Sequence, residues 1–410
     1  MLDIGKLLLH LVLTINVAGL LALVISRVAR AEWNAAGPAA ARRFIHVSIA
    51  VLVLKVAFVV LFVQAFPERV LSTDGVRYFN ETRQIAQAPW LWNPIAGTGP
   101  KYSESPKMGM SYLYGVILYA HGVDSLYGVL LLNVALAYLT CLMVYLLAGQ
   151  LSDARLPAHL AMLGTAVYPE TAFWTARVVR ENLTLFLVPL LLYAAIRFRA
   201  SPRLRYAAVF LGSAVVLVLT RAQLGVLLLL IAGYYITSLL SERLRFRSLL
   251  IAVLVSLAGL GLLNFVRSQI REAVGQKMTH FLSLDLAFWV GRLDTLRESL
   301  PRLLSFVARE GYGLAGLLLA PAVAGVSVLF VLAVLNARRI FPGRSFAAGL
   351  LLCVVLGFLF GLACAGLYSI RFRSTIAPLV IPVVCVTAHY YWRAFRLPRL
   401  VLHARRPARA

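Results

Sequence analysis

The chain reads as an all-α polytopic membrane protein of about eleven transmembrane helices, with a large outer loop after the second span that carries interfacial helices. Three observations predict this. Hydrophobic residues make up 61% of the 410 positions, and the mean hydropathy of +0.84 lies well above that of a soluble domain. Several apolar runs exceed the roughly 18 residues that cross a bilayer as a helix. Arginines crowd into alternate loops, the pattern expected of a chain threaded repeatedly through a membrane.

The spans fall in order at Leu7–Val28, Phe44–Phe66, Leu126–Leu147, Ala158–Trp174, Val178–Ile196, Tyr206–Thr220, Gln223–Leu240, Leu249–Val266, Gly311–Leu335, Phe346–Tyr368 and Thr375–Tyr391. After the first run, Ala29-Arg30-Ala31 has the form of a signal-peptide cleavage site. That run is too long for a signal peptide's apolar region and only Lys6 precedes it, so it reads as a retained span. The whole chain forms one membrane-embedded domain, with an outer loop over 67–125, a second amphipathic outer loop over 267–310 and a basic tail over 392–410.

Charge sets the orientation. One set of loops, with the tail, holds 21 Arg against three acids, Glu32, Asp153 and Glu242. The other set holds 18 Lys and Arg against 13 acids. The richer side is read as cytoplasmic, which puts the N-terminus outside and the C-terminus inside, in a cell membrane of the bacterial inner type. The net charge of +24 is therefore topology, with contact to anionic lipid added, and no nucleic-acid partner is required. Cys141, Cys353, Cys364 and Cys385 lie inside apolar runs without paired spacing and read as small buried hydrophobes. The seven His are scattered, so no His-based metal site is expected.

Most acids thus lie on the outer side, and any chemistry is expected there. Ser72 to Gln87 is the most informative stretch of the first outer loop: Val76, Phe79 and Ala86 share one face of a helix from Gly75 to Gln87, and Arg77, Glu81 and Gln84 share another. Asp74 stands at its N-cap or first turn. It either caps the helix or serves as a general base at the membrane surface. Beyond a turn with Trp90 and Trp92 come Glu104 and Lys107, then an aromatic segment from Met108 to Ala120. That segment is read as an interfacial helix with Tyr112, Tyr114 and Tyr119 at headgroup level.

Charges at span ends are costly and by default functional. Arg177, Arg180 and Glu181 open the fifth span, Arg221 stands between the sixth and seventh, and Arg371 and Arg373 precede the last. Five guanidinium groups on one side either clamp a phosphate or pyrophosphate headgroup or snorkel and pair with Glu181. Lys55, in mid-span, is expected to pair within the bundle.

The segment from Asp74 to Leu379 resembles the GT-C class of membrane glycosyltransferases, in particular protein O-mannosyltransferases and the transferases that add aminoarabinose or galacturonic acid to lipid A. The resemblance rests on the order of several short motifs. They are Asp74 in the first outer loop, Ser105-Pro106-Lys107 where the family usually has His-Pro-Pro, Leu132-Asn133-Val134, Tyr168-Pro169-Glu170, Arg180-Glu181-Asn182-Leu183, Thr220-Arg221, and Arg371-Phe372-Arg373 with Pro378. A span precedes the family's usual first one, and Asp74 is followed by Gly75 instead of a second acid, which leaves Glu81 or Glu104 for that place.

The resemblance implies a sugar donor linked to polyprenyl phosphate and a lipid, polysaccharide or protein acceptor, with transfer at the outer face. It implies Asp74 as the base, with Glu81 or Glu104 as the second acid. Arg77, Lys107, Arg180, Glu181, Arg221, Arg371 and Arg373 would then bind substrate. No cofactor is expected; Asp74 with Glu104 is the pair that would hold one Mg²⁺ if a metal takes part. A polysaccharide polymerase or ligase, or a transporter of lipid-linked saccharide, would also use outer arginines. A transporter should show internal repeats, and none is visible.

Overall fold

All regular structure among the described residues is helical. The computed structural model describes residues 4–71, 73–92, 109–221, 224–240, 325–364 and 370–404. The predicted span Leu249–Val266, the loop 267–310, Glu104 and Lys107 lie outside them.

The chain opens with a helical hairpin, α1 (Ile4–Ala36) and α2 (Pro38–Ala65). The reversal sits at Gly37, whose φ of 82° is available to glycine at little cost, and Pro38 starts the next helix with a nitrogen that needs no partner. Only 11% of the most apolar window of α1 is buried, against 61% for α6 (Leu126–Leu151). The first helix therefore offers its apolar surface to lipid, while α6 is the central post. One hydrophobic core joins α6 to α1, α2 and α7 (Arg155–Val167). A larger core joins it to α5 (Gly109–Ala120), α9 (Glu181–Ala200), α10 (Leu204–Thr220), α11 (Gly225–Leu240), α14 (Ser345–Cys364) and α15 (Ile370–Ala404).

Among the described residues, five helices are long and apolar enough to cross a membrane: α1, α2, α6, α9 and the stretch Ser374–Phe395 of α15. The protein is a multi-pass membrane protein. Shorter apolar helices stand at α10, at residues 227–238 of α11, at α12 (Gly325–Leu335) and at residues 345–359 of α14. The short helix α13 (Ala337–Ile340) links α12 to α14.

The fourth predicted span is not one helix. It breaks into α7 and α8 (Pro169–Thr175) at Tyr168, which is extended at φ −61° and ψ 123°. A residue before proline is driven out of helical geometry, and Pro169 cannot continue the ladder. Helix α15 continues past Tyr391 to Ala404, into the basic tail.

Between α2 and α6 the chain builds the loop that carries the site: α3 (Pro67–Val70), α4 (Thr73–Gln87), a 3-10 turn at Pro89–Leu91, and α5. Two glycines set how closely it packs. A Cβ on Gly115 would lie 2.5 Å from Ile85 Cγ2, and one on Gly109 would lie 2.5 Å from Thr220 Oγ1. Helix α5 is thereby pressed against α4 on one side and against the end of α10 on the other. Tyr114 corrects an expectation: it is 1% exposed and donates to Asn133 Oδ1 at 2.7 Å, so it is a core tyrosine.

Candidate active site

The end of the bundle where α4 and α5 meet the start of α9 and the end of α10 gathers most of the described charged residues predicted from sequence. Asp74 lies in the first turn of α4, half-buried. Tyr78 follows one turn on and Glu81 on the next, so the three share a face. Helix α4 begins at Thr73, which places Asp74 one residue inside the helix.

Glu81 is fully buried. It takes the Arg77 Nε–H at 2.9 Å on one oxygen and the Ser111 hydroxyl at 3.1 Å on the other. One oxygen is thus held within α4 by Arg77, and the other pins α4 to α5 through Ser111. Its partner Arg77 is half-exposed, at 46%.

Across from this face, Glu181 opens α9 and Arg221 ends α10. Arg221 Nη2 donates to Glu181 Oε1 at 2.9 Å, and both side chains are 1% exposed. Removing either partner would strand a buried charge, which costs more than the pair itself contributes. Arg180 precedes Glu181 and is only 8% exposed, and its Nε and Nη1 have no hydrogen-bond partner among the described residues. A desolvated guanidinium with open donors is expensive in a protein, and it is the group that binds phosphate best.

Tyr78 links the two sides. Burial pushes its phenol up from the ordinary tyrosine range. Arg180 pulls it back down, while Glu181, Asp74 and Glu81 push it up further. One hydroxyl therefore feels all four charged residues, and it stays neutral through the physiological range.

The loop before α9 is held rigid by its own polar groups. The Arg177 carbonyl accepts from Asn133 Nδ2 at 2.8 Å and from Asn182 Nδ2 at 3.1 Å, and Asn182 also donates to the Trp174 carbonyl at 2.7 Å. Arg177 lies over the Phe173 ring at 4.8 Å and donates Nε–H to the Arg69 carbonyl at 3.0 Å, tying this loop to α3. Arg371 and Arg373 stand in the first turn of α15. Lys55 does not pair as expected: it is 1% exposed, and its Nζ has no hydrogen-bond partner among the described residues. It borders a cavity of about 10 Å³ beside Thr140, Thr165, Thr171 and Asn182, the room of a single water.

Sequence reasoning missed Tyr78 and Ser111 as parts of this assembly, and singled out Asn133 only within the Leu132-Asn133-Val134 motif. Spacing could have flagged Tyr78, which stands four residues from Asp74 and three from Glu81. Ser111 and Asn133 act across helices, so no local pattern gave their partners. Among the described residues, no three His, Cys, Asp or Glu side chains gather as a metal set.

No family model matches the sequence, and no curated protein does. Solved structures do. The crystal structure of the Archaeoglobus fulgidus oligosaccharyltransferase in its apo form superposes with a TM-score of 0.50 over 88% of this chain, at 15% identity. The same organism's oligosaccharyltransferase AglB, in complex with an inhibitory peptide and a dolichol-phosphate, superposes with a TM-score of 0.53 over 89%, also at 15% identity. The fold is shared with these oligosaccharyltransferases, in line with the GT-C resemblance of the sequence. The GT-C likeness is one of backbone architecture, and this chain spans about half of those proteins, 52% in each case.

Proposed function

We propose that this protein transfers a sugar from a polyprenyl-phosphate-linked donor to an acceptor hydroxyl on a lipid, polysaccharide or protein at the outer face of the membrane. The observation that carries the reading is the buried guanidinium of Arg180, with two donors open, set beside the Glu181–Arg221 pair and the Asp74–Tyr78 face. A soluble substrate would not require chemistry to be built into the ends of spans, whereas a lipid-linked donor presents its phosphate at that depth. The dolichol-phosphate held by AglB is a lipid-linked phosphate of the same chemical class, which supports the donor assignment.

In this reading Asp74 accepts the proton of the acceptor hydroxyl as its oxygen attacks the anomeric carbon. The bond from that carbon to the carrier phosphate breaks, and the phosphate leaves with one more negative charge. Arg180 receives that charge, while Arg221 is held in place by Glu181. Tyr78, neutral and buried, orients Asp74. Glu81 holds α4 against α5, so that Asp74 keeps its position. Arg371 and Arg373, at the start of α15, would complete the phosphate site. The scheme routes no step through a metal ion, so chelation with EDTA should leave turnover unchanged.

The topology that goes with this reading puts the Asp74 end outside, the N-terminus outside and the C-terminus in the cytoplasm of a bacterial-type inner membrane. The test is the purified protein with radiolabelled polyprenyl-phosphate sugars, reading release of free carrier phosphate. Release that depends on Arg180 supports the reading. No release with any donor overturns it.

A further inference from the structure

We propose that the flank of α4 facing away from Asp74 is a saccharide-binding groove that holds the acceptor glycan behind its reacting end. The groove encloses about 400 Å³, within the range of sites for small organic ligands. Asn80, Gln84 and Gln87 line it at i, i+4 and i+7, so they form one stripe along the helix. Leu91 and Trp92, from the turn that follows α4, give it an apolar side. Trp92 is held in place by packing on Ile85 with Tyr112 against them.

The chemistry of this lining selects the ligand. Each amide offers a donor and an acceptor together, the arrangement that matches neighbouring hydroxyls on a sugar ring. Among the described residues, no side-chain hydrogen bond engages these three amides. Among the described residues the lining has no carboxylate, so it does not suit a cation. Its one charge among them, Arg83, is paired with Asp124 at 3.2 Å, so the groove carries no strong attraction for a polyanion. An apolar wall opposite unengaged amides fits a neutral polyhydroxylated chain, with ring C–H faces on Leu91 and Trp92.

Placement ties the groove to the candidate active site. The amide stripe lies roughly 120° around α4 from the Asp74–Tyr78–Glu81 face. Along the axis it runs from about 9 Å to about 20 Å beyond Asp74. A glycan whose terminal hydroxyl meets Asp74 would therefore lay its earlier units along the stripe. That assignment as acceptor rests on the transferase reading above; the binding of saccharide does not.

The test is direct binding of neutral hexasaccharides of glucose, mannose, galactose and N-acetylglucosamine to the full-length protein in nanodiscs. At least one should bind the wild type. The triple variant Asn80→Ala/Gln84→Ala/Gln87→Ala should weaken it by about tenfold or more, while Asp153→Ala, at the opposite end of the bundle, should bind as the wild type does. If the triple variant does not fold, Gln87→Ala alone, at the exposed end of the stripe, should still weaken binding about threefold. Failure of every hexasaccharide to bind, or equal binding by the amide variants, overturns the proposal. Because the readout is binding, absence of sugar transfer in the wild type would count against the transferase reading and leave the groove standing.

Discussion

The two ends of the helical bundle treat charge in opposite ways. At the α4–α5 end, Glu181 and Arg221 each expose 1% of their side chains and Glu81 none. At the other end, Arg344 reaches Asp153 across an open surface where Asp153 is 90% exposed. Among the described residues, Glu32, paired with Arg155 at 3.0 Å, is the one charged residue near that end whose side chain is buried to 8%. A fold that needed charge only for orientation would leave it in water, as Asp153 and Arg344 do. Burying Arg180, Glu181 and Arg221 costs desolvation that packing does not return, and so marks that end as the place where charge has work to do.

The largest effect should come from breaking the buried pair. Arg221→Ala or Glu181→Ala should each destabilise the protein by about 3–5 kcal/mol in a thermal or denaturant series. The double replacement Glu181→Leu/Arg221→Met should recover most of that stability without recovering turnover. Arg180→Ala should then weaken binding of the donor by about 10²-fold and leave stability nearly untouched or slightly raised, because its open donors no longer have to be buried.

Glu81→Gln should cost less, about 1–3 kcal/mol, since it loosens the Arg77 bond within α4 and the Ser111 bond that holds α4 on α5. Glu81→Ala should in addition lower turnover by letting Asp74 drift. The smallest effect belongs to the opposite end, where Asp153→Ala should shift stability by less than about 1 kcal/mol. If Asp153→Ala matched Arg221→Ala, the contrast between the two ends would fail.

Much of this arrangement was legible in the residues. The helix around Asp74 was marked by its alternating faces, and the structure shifts its start from Gly75 only to Thr73. Arg180, Glu181 and Arg221 stood out because charge at span ends is rare. Their pairing was less visible: Glu181 and Arg221 are 40 residues apart, and only the antiparallel packing of α9 and α10 brings them together.

Tyr114 shows a different limit. An aromatic-rich short helix looks the same in sequence whether its tyrosines face headgroups or a core. Contact with Asn133, on another helix, decides that Tyr114 is buried. Pro169 falls inside the predicted span Ala158–Trp174, where a proline cannot continue a helix. The structure resolves this by ending α7 at Val167 and restarting at α8.

The most direct test of the account is Asp74→Asn in the purified protein, with donor binding and release of carrier phosphate measured side by side. The account predicts that donor binding stays within about threefold of wild type while turnover falls by about 10²–10⁴-fold. Turnover equal to wild type would contradict it, and would return Asp74 to the role of a residue that only starts a helix.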